Sequence, residues 1–152
     1  MKRRHFLQLG GAGISAAALP LRAQQLMPMQ DLQPLIRGVA GDVPPKPGRV
    51  HIGLPQLAEN GNSVPLELTV DSPMTAADHV RSLHVFGERN PRPLIASFHL
   101  GPHAGRAKIT TRIRLAGSQR VVAIAVLSDG SAWSDETEVI VTSAACLDEM
   151  SL

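Results

Sequence analysis

Between residues 64 and 71 the chain alternates strictly. Val64, Leu66, Leu68 and Val70 are apolar, while Pro65, Glu67, Thr69 and Asp71 stand between them. A period of two places one set on each face of a β-strand, so one face is buried and the other wet. The same pattern returns where Ile109, Ile113 and Leu115 alternate with Lys108, Thr110, Arg112 and Arg114. Residues 83–86 and 95–100 predict two more strands. Val121 to Leu127 is continuously apolar, as expected of a central strand buried on both faces. A last strand is predicted from about Ala132 to Thr142, with Val139 and Val141 on one face. Between these runs lie turn formers: Glu59-Asn60-Gly61-Asn62, Asn90-Pro91-Arg92-Pro93 and Ser128-Asp129-Gly130-Ser131. About seven short strands with regular turns predict an all-β, antiparallel sandwich.

A different period precedes the strands. Leu32, Leu35, Ile36 and Val39 fall at helical spacing after Asp31, a residue suited to capping. They predict a short amphipathic helix within residues 24 to about 38. The segment Gly41-Asp42-Val43-Pro44-Pro45-Lys46-Pro47-Gly48 then reads as a connector. Phe86, taken as outward-facing, and the apolar run Val121 to Leu127 are candidate contact surfaces for a partner.

The front of the chain has the form of an export signal. Lys2, Arg3 and Arg4 open it, and a Gly/Ala-rich apolar run, Leu9 to Leu21, follows. That run is shorter than the roughly 20 apolar residues of a membrane span. With Ala23 as the small residue at the cut, it predicts a cleaved leader over residues 1–23. The adjacent arginines followed by His5, Phe6 and Leu7 are of the twin-arginine type. The resulting plan is a leader (1–23), a helix and connector (24–48), a sandwich domain (49–142) and a tail (143–152). Localisation is then periplasmic, with no membrane attachment once the leader is removed.

Removing the leader reverses the charge. The 152 residues carry 15 Lys+Arg and 13 Asp+Glu. The leader holds Lys2, Arg3, Arg4 and Arg22 and no acid, so 11 basic and 13 acidic residues remain, a formal −2. The basic pI of about 9.2 belongs to the precursor, and it supports no nucleic-acid reading. Only Phe86, Phe98 and Trp133 remain as aromatics, too few for a base-stacking platform.

Candidate chemistry is sparse. There is no phosphate loop, dinucleotide fingerprint or nucleophile elbow. His99 and His103 are four apart, but Gly101-Pro102 between them breaks any helix. His84 and His99 read as outward strand positions, solvated or hydrogen-bonded. Asp71 and Asp78 read as a strand end and turn rather than a carboxylate pair. Arg112 and Arg114 share a wet face with Lys108. That face is a solvated surface, or a docking patch for an acidic partner or a sulfur oxyanion. No cofactor and no metal are indicated. Cys146 remains, the one cysteine, about four residues past the last strand. With one cysteine no internal disulfide forms, and a lone thiol in an exported protein points to an intermolecular bond or a reactive sulfur. Position alone leaves it open between a reachable thiol and a packed one.

Several stretches resemble one family in the right order. They are Leu57-Ala58-Glu59-Asn60-Gly61-Asn62-Ser63-Val64-Pro65, Val70-Asp71-Ser72-Pro73-Met74-Thr75, Asn90-Pro91-Arg92-Pro93 and Ser97-Phe98-His99-Leu100. Thr111-Arg112-Ile113-Arg114-Leu115, Gln119 through Ala125, and Ser128-Asp129-Gly130 complete the set. Together they resemble SoxY across essentially all of the mature chain. The resemblance implies an immunoglobulin-like sandwich that pairs with a SoxZ-like subunit as a heterodimer. It implies a covalent carrier rather than an enzyme, with thiosulfate-derived sulfur attached to Cys146. It also implies visits to a haem enzyme that loads the thiol, a hydrolase that releases sulfate and a molybdenum enzyme that oxidises the remaining sulfur. The family tail is Gly-Gly-Cys-Gly-Gly. Here Ala144-Ala145-Cys146-Leu147-Asp148 stands instead, stiffer and more negative. That difference keeps a second reading in play: a SoxY-like binding or assembly subunit whose cysteine is packed. A third is a redox or metal-binding enzyme that uses His99 or His103.

Overall fold

The computed structural model describes residues 28–145. In chain order it contains helix α1 (Gln33–Ala40) and strands β1 (Lys46–Pro47), β2 (Val50–Gly53), β3 (Leu57–Ala58), β4 (Val64–Val70), β5 (Val80–Gly87) and β6 (Leu94–His99). A single 3-10 turn (Pro102–Ala104) follows, then β7 (Lys108–Ile113), β8 (Gln119–Leu127) and β9 (Ala132–Val141). The larger sheet runs β1-β9-β8-β5-β6, with β3 also beside β9; the smaller runs β2-β4-β7. The two sheets face each other across one aliphatic core, the arrangement expected of an all-β sandwich. The leader, residues 1–23, and Cys146 lie outside the described residues.

The period-two strands behave as their patterns require. Val64, Leu66, Leu68 and Val70 all point inward and are at most 4% exposed. Pro65 lies within β4 although β4 is the central strand of its sheet. It is tolerated because β2 pairs β4 only from Glu67 to Val70, leaving Pro65 a neighbour on one side alone. On β8 the inner face (Val121, Ala123, Ala125, Leu127) joins the main core, while Val122 and Ile124 enter a second cluster on the outer face.

Helix α1 covers that outer face. Leu32 and Ile36 pack against Phe86, Val122 and Ile124, and Phe86 is only 1% exposed. Phe86, Val122 and Ile124 are therefore covered by the chain's own helix, and the inner face of the Val121–Leu127 run by the core between the sheets, so neither candidate is an open contact surface. The helix begins later than the expected span from residue 24, since residues 28–32 precede it without helix. Asp31 Oδ1 accepts the Gln33 N–H at 2.9 Å, and Pro34 falls in the first turn, where its missing N–H costs nothing. Gly41 ends it with φ +83°, its N–H donating to the Arg37 carbonyl.

Two strands depart from the antiparallel expectation. β1 and β3 each pair parallel with β9, aligning Lys46 with Trp133 and Leu57 with Ile140. β1 lies inside the Pro-rich connector. Proline is compatible with such an edge position, and Lys46 and Arg49 rest over the Trp133 ring at 5.9 and 5.7 Å. No described helix is long and apolar enough to cross a membrane.

Candidate functional site at the root of the C-terminal tail

β4 begins, β7 ends and β9 ends at the same rim of the sandwich, and three backbone segments meet there. The Gly61 N–H donates to the Ser143 carbonyl at 2.7 Å. The Leu115 N–H donates to the Gly61 carbonyl at 2.8 Å, and the Ala145 N–H donates to the Leu115 carbonyl at 2.9 Å. Upstream, the Thr142 N–H donates to the Ala58 carbonyl and its hydroxyl to the Glu59 carbonyl, both at 3.0 Å. The chain is thus bonded to the sandwich through Ala145, which is itself buried. Cys146, the expected attachment residue, is the next residue and lies outside the described ones.

Gly61 is a glycine for reasons of space. A Cβ there would stand 2.5 Å from the Leu115 oxygen, 2.8 Å from the Ala145 nitrogen and 3.0 Å from the Ser143 oxygen. Real Cβ atoms do not approach so closely, so any other residue pushes the three segments apart.

A buried amide pair fixes the loop that carries Leu115. Asn90 and Gln119 are 5% and 4% exposed. Asn90 Nδ2 donates to the Arg114 carbonyl at 2.9 Å, and Asn90 Oδ1 accepts the Ala116 N–H at 3.0 Å. These bonds flank Leu115 on both sides. Gln119 Nε2 donates to Asn90 Oδ1 and to the Gly117 carbonyl, while its Oε1 accepts the Arg89 N–H. Each buried polar atom of the pair has a partner, as burial demands. Both residues fall in stretches that carry the family resemblance, but neither was singled out for a role. The available signal was Gln119 at the head of a strand that is apolar from Val121 onward, and Asn90 before Pro91 as a turn.

Arg112 and Arg114 are exposed at this rim. Arg112 Nη1 donates to the Ser63 hydroxyl at 3.1 Å, two residues from Gly61. Lys108 lies at the other end of β7, paired with Glu67 at 3.0 Å. The three cations of that wet face are therefore divided, and only the two arginines flank the tail root.

The remaining candidates are placed elsewhere. Asp71 Oδ2 lies 3.0 Å from His51 Nε2 and Asp78 pairs with Arg49 at 3.1 Å, so the two carboxylates have separate partners. His84 faces outward from the sheet, as expected, yet is buried. Its Nδ1 and Nε2 lie 2.7 and 3.1 Å from the hydroxyls of Ser97 and Ser82, and its ring meets His99 edge-on. Burial first, and the neighbouring His99 second, hold its pKa below the usual histidine value. His103 occupies the 3-10 turn beyond β6. Among the described residues no group of three or more His, Cys, Asp or Glu converges as metal ligands do. A cleft beside α1 contains Glu88, Arg120 and Glu136, where Arg120 donates to both carboxylates.

The family described as "Sulfur oxidation protein SoxY" matches residues 36–146, ending on the cysteine. Among solved structures the chain is similar to the sulfur carrier protein SoxY from Chlorobium limicola f. thiosulfatophilum. Identity is 26%, the TM-score is 0.61, and 73% of this chain and 96% of that one are covered. It is also similar to the superoxide reductase (neelaredoxin) from Ignicoccus hospitalis, at 18% identity and TM-score 0.55, covering 62% and 80% of the two chains. The superoxide reductase from Nanoarchaeum equitans is 17% identical with TM-score 0.51, covering 64% and 96%. At such identities the reductases share the fold alone. No curated protein matches the chain.

Proposed function

The chain belongs to the SoxY family of sulfur carriers in sulfur oxidation, and from that premise we propose that it carries thiosulfate-derived sulfur covalently on Cys146, in complex with a SoxZ-like subunit. The observation that carries this reading is the family match, which spans the sandwich and runs through Cys146. The protein then acts as a carrier presented to other enzymes, and the twin-arginine leader supports a periplasmic site of action.

The chemistry is that of a soft nucleophile. The Cys146 thiol loses its proton, and the thiolate joins the terminal sulfur of thiosulfate in a new S–S bond. Two electrons leave to the haem enzyme that performs the loading. Water then cleaves the outer S–S bond, releasing sulfate and two protons and leaving a persulfide anion on Cys146. A molybdenum enzyme oxidises that remaining sulfur. A thiol suits this duty because S–S bonds form and exchange reversibly. Arg112 and Arg114, exposed beside the tail root, are suited to meet the sulfonate of the adduct or an acidic partner surface.

A second reading has one observation in its favour. Ser143 and Ala145 are bonded to the sandwich and Ala145 is buried, as expected of a binding or assembly subunit whose cysteine is packed away. The experiment that separates the two is an intact-mass measurement. The mature protein, with its SoxZ-like partner, is incubated with thiosulfate and the loading enzyme. A thiosulfate-sized increase that disappears in Cys146→Ser is the expected result. An unchanged mass, with a thiol that resists alkylation until unfolding, would install the second reading.

A further inference from the structure

We propose that Gly61 and Leu115 form a backbone clamp that ties the chain to the sandwich as far as Ala145, so that no free arm precedes Cys146. The inference deepens the carrier reading and rests on it for the identity of the cargo. Three hydrogen bonds in series make the clamp: Gly61 to Ser143, Leu115 to Gly61, and Ala145 to Leu115. The absence of a side chain at residue 61 lets the three segments close, and Gly61 is therefore a positioning residue. The Ala145 methyl is buried against the sandwich, where a glycine would bury nothing.

The consequence concerns reach. The chain is bonded to the sandwich as far as Ala145, and one further peptide link adds only about 3.8 Å of reach. An enzyme that takes the thiol must then accept the rim itself, namely the Asn60–Ser63 and Arg114–Ser118 loops, at its mouth. A glycine arm of several residues imposes no such contact, because each added free residue extends the span. The Asn90–Gln119 pair keeps the Leu115 loop in register for the clamp.

The test uses the full mature chain. Amide hydrogen exchange is followed at Gly61, Leu115 and Ala145, and Cys146 is alkylated with iodoacetamide and with a polymer-linked maleimide. In the native protein the three amides are expected to be protected, and the bulky reagent to lag well behind the small one. Gly61→Ala should speed Ala145 exchange roughly two- to tenfold, the loss expected for one ordinary hydrogen bond. It should raise the bulky reagent's rate relative to iodoacetamide. Ala145→Pro deletes the N–H that bonds to the Leu115 carbonyl and should produce the same alkylation shift with a lower but still cooperative unfolding transition. It decides the matter if Gly61→Ala fails to fold. An Ala145 amide that exchanges at the unstructured rate in the native protein, or an alkylation ratio that Ala145→Pro leaves unmoved, would overturn the clamp. The carrier reading fails separately: protected amides with no thiosulfate adduct would sink the carrier and leave the clamp standing. An adduct formed on a chain whose Ala145 exchanges freely would do the reverse.

Discussion

At the rim that roots the tail, the side chains beneath the joint are neutral and buried, although Arg112 and Arg114 lie exposed beside them. Asn90 and Gln119 are amides about 5% exposed, and they bond to each other and to four backbone groups. At the opposite rim the polar side chains are ionisable and wet. Asp71 and His51 keep 67% and 60% of their side-chain surface, and the Arg49–Asp78 pair is also partly exposed. The far rim tolerates backbone in the left-handed region at two non-glycine residues, Arg49 (φ +57°) and Met74 (φ +53°). The tail-root rim instead spends a glycine on close approach. Exposed ion pairs contribute little because water and salt screen them. A buried amide network holds geometry tightly, because each of its partners has no substitute. The rim that needs a fixed backbone is the one built from buried amides.

The largest test of this contrast is Asn90→Ala. It strands the Ala116 N–H, a Gln119 N–H and the Arg114 carbonyl. It should cost about 3 kcal/mol in chemical denaturation, since each buried orphan costs roughly 1–3 kcal/mol. A cost below about 1 kcal/mol would mean that water replaces the network.

A smaller effect should appear with pH, from a histidine between the two rims. Because its folded pKa is depressed, His84 is neutral in the native state at pH values where the unfolded chain already binds a proton. Its contribution is therefore full above the unfolded value near 6.5 and lost as pH falls from there through the lower folded pKa. Thermal unfolding followed from about pH 7 to about pH 5 should show stability declining on that account, and His84→Gln should flatten the decline. An unaltered pH slope in the variant would assign the decline to other groups.

The smallest effect belongs to the far rim. Asp78→Asn removes the charge that answers Arg49 and should cost about 0–1 kcal/mol, less at high salt. A loss as large as that of Asn90→Ala would erase the distinction between the rims.

Much of the sandwich was legible because alternation is a local property. Val64 to Val70 announced β4 residue for residue, and the unbroken run from Val121 to Leu127 announced a strand covered on both sides. What covers it was not legible. The spacing of Leu32, Ile36 and Val39 specifies an apolar helix face but not the sheet face that receives it, so Phe86 read as open when it is under α1. β1 and β3 escaped because two residues are too few to show a period, and their parallel pairing with β9 is made by the backbone. Gly61 was visible as a turn residue beside Asn60; its actual constraint is the Leu115 oxygen 2.5 Å from where a Cβ would stand.

By itself, then, the sequence determined the strand pattern, the polarity of each face and the presence of one cysteine just past the last strand. It did so because side-chain polarity is written residue by residue. Only the tertiary structure decided that Ser143 and Ala145 are tied to Gly61 and Leu115, and that Asn90 and Gln119 lie beneath the joint. Backbone N–H and C=O groups are the same in nearly every residue. Pairings between segments 30 to 80 residues apart therefore leave no mark in the sequence, until the fold brings them together.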